Sequence, residues 1–400
     1  MARSKAKSPE VIESARRWYP RQVKWRRHLH QYPETANQEF ETTAFLKNEL
    51  KRLGLKLRTF KLPTGLVADL QGARPGPTVA IRSDIDALPV QEQTGLPFAS
   101  RIAGRMHACG HDIHMATVLG TAAVLSESRR ELAGQVRFLF QPAEEEPPGG
   151  AERMVKAGVL KGVDTIFGLH VDPSLSVGSI GLCDGPMMAQ VYDFDITVKG
   201  RGSHAARPHL SVDAVVTSAA VVEALQRIVS RYTDPAIPLV LTIGQISGGT
   251  ARNVIADRVS LVCTARTLSP SVSRRLPSMV RRAVTGVCRA HGATSEIKAV
   301  ASYPMLVNDV ATNRLYGQVF GDLFDRRRVK QTTPILGGED FAYFLQKVPG
   351  AMFRLGAGNK KIGADKPWHS AKFIVDENSM LYGTGLLAEA VLRYVRGRVR

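Results

Sequence analysis

The chain has 400 residues, 44% of them hydrophobic and 6% aromatic, and a formal net charge of +18. That length exceeds what one ordinary core encloses, so two domains are expected, and no apolar run reaches the roughly 20 residues of a bilayer-spanning helix. The basic residues are spread out, and the densest groups, 325–330 (DRRRVK) and 393–400 (RYVRGRVR), have no aromatic stacking platform beside them; the charge reads as solvated surface able to steer anionic substrates, with no nucleic-acid or membrane partner.

The N-terminus, MARSKAKSPEVIESARRW, is basic but has no apolar stretch behind it, so no secretory signal is read there. Ser8, Pro9 and Glu10 suit the cap and first turn of a helix. Cys109, Cys183, Cys263 and Cys288 form no CxxC pair and no disulfide-like spacing, which predicts free thiols in a reducing compartment and a cytoplasmic location. Cys183, Cys263 and Cys288 read as structural.

Residues 78–86 (TVAIRSDID) form a strand that turns polar at its end, and 112–128 suit a buried helix. Strands follow at 135–140 (QVRFLF) and 164–171 (DTIFGLHV), with the helical GAERMVKAGVL between them. This alternation predicts an α/β layer around a mainly parallel sheet flanked by helices. From Tyr192 the pattern changes to strand 192–200, helix 211–231, strands 239–248 and 258–268, helix 271–292 and strand 294–303. Pro277 requires a kink or a late start in the second helix. The order βαββαβ is that of a ferredoxin-like sandwich. Residues 187–300 therefore read as an inserted domain, and 1–186 with 301–400 as one catalytic unit ending in a helix at 380–397.

Four polar clusters accompany the strands of the α/β part. Asp84 and Asp86 close the first strand, and RMHACGHDIHMA sets Cys109 and His111 at the mouth of the next helix. Glu144, Glu145 and Glu146 follow the strand at 135–140, and His170 lies near the end of 164–171. Each has an ordinary explanation alone, since an apolar strand commonly holds one satisfied histidine and three glutamates commonly make a solvated face. Ligands of open α/β sheets gather at the carboxyl ends of strands, so their joint placement predicts a metal site. Thiolate and imidazole suit zinc, cobalt, nickel or copper, and carboxylates extend the range to manganese. Of two neighbouring glutamates, one can bind metal while the other remains a base for a metal-bound water.

RRHLHQYPE, RSDIDALPV, MHACGHDIHMA, QPAEE, GLHV, GRGSHAARPH, NVIADRV, GGEDFAYF and WHS occur in that order. In them nearly the whole chain resembles the dinuclear metallo-amidohydrolases that include aminoacylases, hippurate hydrolases and plant auxin-conjugate hydrolases, relatives of carboxypeptidase G. CGHDxHxA with QPAEE is the most specific part. The resemblance implies a zinc-exopeptidase-like catalytic domain and two divalent ions per subunit, whether zinc, manganese, cobalt or nickel. Their ligands would be Cys109, His111, Glu145, His170 and His369, with Cys109 as the bridging thiolate. Glu144 corresponds to the general base that later protonates the leaving amine, and Asp86 to a carboxylate orienting a ligand. His204 corresponds to a histidine that reaches the partner subunit's site to stabilise the oxyanion, which implies a homodimer or a higher homo-oligomer, with 187–300 as the lid and dimerisation domain and 1–186 with 301–400 as the catalytic metal-binding domain. Asn253 and Arg266 would grip the substrate carboxylate, Gly337 and Gly338 would admit the substrate to the backbone, and Glu339 and Asp340 would cap a helix. His114, inside its helix, reads as supporting rather than ligating.

The chain departs from the family after QPAEE, where EPPGG replaces a run of glycines; Pro147 and Pro148 would stiffen this loop and reshape an acyl pocket. GGEDF also resembles the hairpin signature of diguanylate cyclases, a reading nothing else in the chain supports. The expected activity is hydrolysis of the amide bond of N-acyl amino acids (acetyl-, benzoyl- or aryl-acyl conjugates) to a carboxylic acid and a free amino acid. A dipeptidase or aminopeptidase of the same fold is the alternative, and a catalytically silent metal- or nucleic-acid-binding protein is the alternative of another class. Glu144 beside a complete ligand set favours an enzyme.

Overall fold

The structure, a computed structural model, describes residues 8–397. The chain divides into two compact units. One takes the chain up to Gly185, Val307–Thr333 and the chain from Asp340 onward; the other takes Pro186–Leu306 and Pro334–Glu339. The side chains of Ser8 and Pro9, expected to cap the first helix, and residues 398–400 lie outside the described part.

The first unit opens with helices α1 (Ser8–Gln31) and α2 (Phe40–Arg52) and strands β1 (Lys56–Arg58), β2 (Leu66–Gln71) and β3 (Arg74–Asp84). Helix α3 (His111–Glu127), strand β4 (Ala133–Gln141), helix α4 (Gly150–Lys156) and strands β5 (Thr165–Ser176) and β6 (Ile180–Leu182) complete its first stretch. Helix α3 is buried from His111 to Leu125, as an all-round apolar helix must be. Helix α1 covers it with an apolar stripe that includes Val11, Ala15, Trp25 and Leu29.

The second unit is built from β7 (Gln190–Lys199), α5 (Ala214–Arg231), β8 (Leu239–Gly248), β9 (Arg258–Thr267), α6 (Pro270–Ala290) and β10 (Thr294–Tyr303). The strands run antiparallel in the order β8-β9-β7-β10, the βαββαβ arrangement read from the sequence. Asp213 and Ser269 cap the two helices by accepting backbone N–H groups. Helix α6 does not wait for Pro277 but runs through it from Pro270. Val272, Leu276, Val280, Val284 and Cys288 repeat at helical spacing and are buried. Their burial offsets the roughly 3 kcal/mol that an interior proline costs.

The chain then returns to the first unit with α7 (Val310–Phe320), β11 (Val329–Gln331), α8 (Ala342–Leu345), β12 (Gly350–Gly358) and α9 (Ser379–Val395). The sheet of this unit has the order β1-β2-β4-β3-β5-β12-β6-β11. Its four central strands, β4, β3, β5 and β12, are parallel, and antiparallel pairs flank them. Both faces of these strands are covered, so they read as nearly continuous apolar runs. No helix among the described residues is long and apolar enough to cross a membrane.

Candidate metal centre

Asp84 ends β3, Cys109 and His111 open α3, Glu144 and Glu145 follow β4, His170 lies on β5 and His369 precedes α9. All belong to the first unit. Gly110, between Cys109 and His111, has φ +93° and lies so close to Val171 that a Cβ would fall 2.3 Å from its Cγ2, which restricts the position to glycine. His111 thereby starts the helix.

The ligand atoms of Cys109, His111 and His170 lie within 4.8 Å of one another, and so do those of Cys109, Glu145 and His369. Cys109 is the common corner of two triads. Its Sγ is 3.4 Å from His170 Nε2, and Glu145 Oε1 is 3.4 Å from His369 Nε2. His111 Nε2 faces Glu144 Oε2 at 3.8 Å and Glu145 Oε1 at 3.9 Å. His111 Nε2 and Glu145 Oε1 are buried without a hydrogen-bond partner. Buried polar atoms are rarely left so, and a thiol, imidazoles and carboxylates converging on one space form a donor set that suits divalent metal.

The supporting contacts fix which atom each residue presents. His111 donates from Nδ1 to the Asp86 carbonyl at 2.7 Å, which leaves Nε2 facing the cluster. Asp86 Oδ2 accepts the Glu145 N–H at 3.0 Å, so one residue orients two candidate ligands. His170 donates from Nδ1 to the Val171 carbonyl at 2.8 Å, and Trp368 Nε1 donates to the same oxygen at 3.0 Å. His114 is spent on both sides. Its Nδ1 lies 2.7 Å from Asp84, and its Nε2 accepts the Val171 N–H at 2.9 Å.

Burial alone would lower the His111 pKa, but the Asp84 and Asp86 carboxylates outweigh it and raise the value to about 10. Burial, with Glu145 and Glu144 nearby, pushes the Cys109 thiol well above its ordinary range. Burial lowers the His114 pKa to about 4, which keeps its ring neutral. The cluster thus holds excess negative charge that a bound cation would neutralise.

Behind the ligands lies a network the sequence did not announce. Arg82, 1% exposed on β3, donates to Asp84 at 2.7 Å, to Asp340 at 2.9 Å and to Gln141 at 2.7 Å. Asp340 lies just before α8, and its carboxylate serves the first turn of α4. Its carboxylate accepts from Arg82, from Gln141 Nε2 and from the Ala151 N–H at 3.0 Å. Helix α8 itself has only four residues. A guanidinium, a side-chain amide and a backbone N–H together satisfy this buried carboxylate. Asp112 of CGHD is held by Arg26 at 2.7 Å and His30 at 2.8 Å. The i, i+4 spacing of Arg26 and His30 on α1 was the available signal.

The non-glycine residues with positive φ among those described are Asn37, Ala143 and His369. His369 is a candidate ligand, Ala143 immediately precedes Glu144, and Asn37 donates to Glu146 at 3.2 Å. Backbone held in this sparsely populated region clusters at functional sites.

The remaining sequence-derived residues belong to the second unit. His204 and Asn253 lie side by side. His204 pairs with Val254, the Asn253 carbonyl accepts the Ala205 N–H at 3.0 Å, and both residues line a pocket of about 710 Å³. Arg266 donates to the Leu336 carbonyl at 3.1 Å, and the Gly337 carbonyl accepts the Ala189 N–H at 2.9 Å. The neighbouring Gly338 packs where a Cβ would fall 2.6 Å from Tyr303.

A sequence profile of peptidase family M20/M25/M40 matches residues 80–393. The N-acetyl-L-cysteine deacetylase of Bacillus subtilis is 40% identical over 368 residues, 92% of this chain and 86% of that protein. The N-acyl-L-amino acid amidohydrolase of Geobacillus stearothermophilus is 46% identical over 286 residues, 72% of this chain and 77% of that protein. The crystal structure of the Bacillus subtilis YXEP protein, a dinuclear metal binding peptidase, is 35% identical with a TM-score of 0.84, covering 95% of this chain and 99% of that one.

Proposed function

The chain belongs to peptidase family M20/M25/M40 and is a metal-dependent hydrolase of amide bonds, and from that premise we propose that it cleaves N-acyl amino acids to a carboxylic acid and a free amino acid. The observation that carries the proposal is the shared corner at Cys109, with Glu144 beside both triads. Cys109, His111, Glu145, His170 and His369 would hold two divalent ions, with the Cys109 thiolate common to both. Bound there, the ions would polarise the amide carbonyl and lower the pKa of a coordinated water. Glu144 takes the proton of the attacking water and hands it to the departing amine. Asp86 holds His111 and Glu145 in position for these steps.

The domain at 187–300 would serve as lid and dimerisation surface. From it His204 of one subunit would donate to the oxyanion in its partner's site, the role a positioned donor fills in acyl transfer. Arg266 and Asn253 would receive the substrate carboxylate, for which a guanidinium is a planar match, and Gly337 would let the backbone approach the substrate. The four buried free cysteines fit a cytoplasmic enzyme.

Removing metal with a chelator and reloading with zinc, manganese, cobalt or nickel tests this reading. Amino-acid release would be followed on acetyl-, benzoyl- and indoleacetyl-amino acids beside unblocked dipeptides. Metal-dependent cleavage of blocked substrates is expected. Cleavage of dipeptides alone would move the chain to the peptidase reading, and no cleavage by any loaded form would favour a binding role.

A further inference from the structure

Glu39 is fully buried in front of α2, and no Lys, Arg or His among the described residues pairs with it. Burying a carboxylate without a cation is unfavourable, so its presence here calls for a reason. Its two oxygens are both used. Oε1 accepts the Ala143 N–H at 2.8 Å, and Oε2 accepts the Thr64 hydroxyl at 2.7 Å.

Ala143 is the residue that turns the chain from β4 to Glu144, and it does so at φ +52°, a conformation that crowds the Cβ of an L-residue and is rarely adopted. The loop it begins is closed by the Gly150 N–H, which donates to the Ala143 carbonyl at 2.9 Å. Three carboxylates thus hold the backbone of this loop. Glu39 takes the N–H of Ala143, Asp86 that of Glu145, and Asp340 that of Ala151. Asp340 is neutralised by Arg82, and Asp86 lies beside His111. Glu39 acts at the strained residue itself.

We propose that Glu39 is a positioning residue for the general base, its carboxylate holding Ala143 in the left-handed conformation that aims Glu144 at the reacting water. The inference rests on Glu144 being that base. Without the acceptor, Ala143 relaxes to negative φ and the following carboxylate rotates away from His111. Displacements of about 1 Å at a reacting group cost on the order of 100-fold in rate.

The test compares Glu39→Ala, Glu39→Gln and Glu144→Ala with the wild-type holoenzyme on N-acetyl-L-methionine and hippurate. Zinc affinity is measured by competition with a chromophoric chelator, and crystal structures of both Glu39 variants are determined. Glu39→Ala is expected to lower kcat by about 10- to 100-fold, with KM and zinc affinity within about threefold of wild type, and to show Ala143 at negative φ. Glu39→Gln keeps an acceptor for the Ala143 N–H, and should restore both kcat and the positive φ. Should Glu39→Ala not fold, Glu39→Asp, one methylene too short to reach, replaces it with the same expectations. Wild-type kcat in Glu39→Ala, an unchanged Ala143 φ, a loss that follows zinc loss, or failure of Gln to rescue would each overturn the proposal. An active Glu144→Ala would overturn the base assignment and this inference together. An inactive Glu144→Ala beside a fully active Glu39→Ala would overturn this inference alone. The Ala143 φ decides the positioning claim if neither probe is a substrate.

Discussion

His114 donates its Nδ1 hydrogen to Asp84 at 2.7 Å, because its Nε2 is occupied accepting the Val171 N–H. That single tautomer ties the end of β3 to the middle of β5 through one ring of α3. Cys109, His111 and His114 are close in sequence, yet only the first two can turn a lone pair toward a cation.

His114→Ala should therefore weaken the fold itself. It leaves a buried backbone N–H without an acceptor, removes one donor from Asp84 and opens a cavity, for a combined cost of roughly 2–4 kcal/mol. Chemical denaturation of the metal-free protein measures it. Unchanged stability without metal, together with lost metal binding, would instead make His114 a ligand.

Arg82→Leu should be among the most damaging single changes away from the ligands. Arg82 neutralises Asp84 and Asp340 in the interior, and removing one partner of a buried ion pair costs about 3–5 kcal/mol. Denaturant midpoints check this, and a loss below about 1 kcal/mol would contradict the network's role.

Asp86→Ala removes the acceptor that orients Glu145. Metal affinity is expected to fall about 10- to 100-fold, the usual effect of losing a residue that orients a ligand. Competition titration with a chelator reads it. An unchanged affinity would remove Asp86 from the site's support.

The pH dependence follows from His111 and Cys109. The folded pKa of His111, about 10, lies above the ordinary histidine value of roughly 6.5. Its carboxylate contacts therefore stabilise the metal-free fold fully below about pH 6.5, and that contribution is lost as pH rises through about 10. Metal binding must displace this proton and that of the Cys109 thiol, also held at pH 7. Affinity should rise with pH, with about two protons released per subunit near pH 7. Calorimetry in buffers of different ionisation enthalpy measures the release, and no net release would contradict the assignment of both residues as ligands.

The parts of this site written in contiguous motifs were legible in the sequence. CGHD and QPAEE place their residues at strand ends and a helix mouth, and hydrophobic periodicity located the sheet and the βαββαβ segment. What the sequence hid depends on contacts between distant elements. Arg82 reads as one polar residue in an apolar strand, and only the fold brings Asp340 to it across 258 positions. Gly-Gly-Glu-Asp before an apolar run carries the local signal of a helix cap, but nothing in it points to the buried guanidinium that Asp340 pairs with. Pro277 read as a kink or a late helix start because propensity is local, whereas the apolar stripe of α6 is satisfied only by the sheet beneath it. Glu39 gave no signal, since its partners are a backbone N–H and a hydroxyl from distant parts of the chain.

The most direct test of the account is an anomalous difference map from crystals of the zinc-loaded protein. It should show two peaks about 3.5–4 Å apart, one within bonding distance of His111 and the other of His369, with the Cys109 sulfur between them. A single peak, or a peak bonded to His114 and not to Cys109, would contradict the two-metal centre on which the proposed chemistry rests.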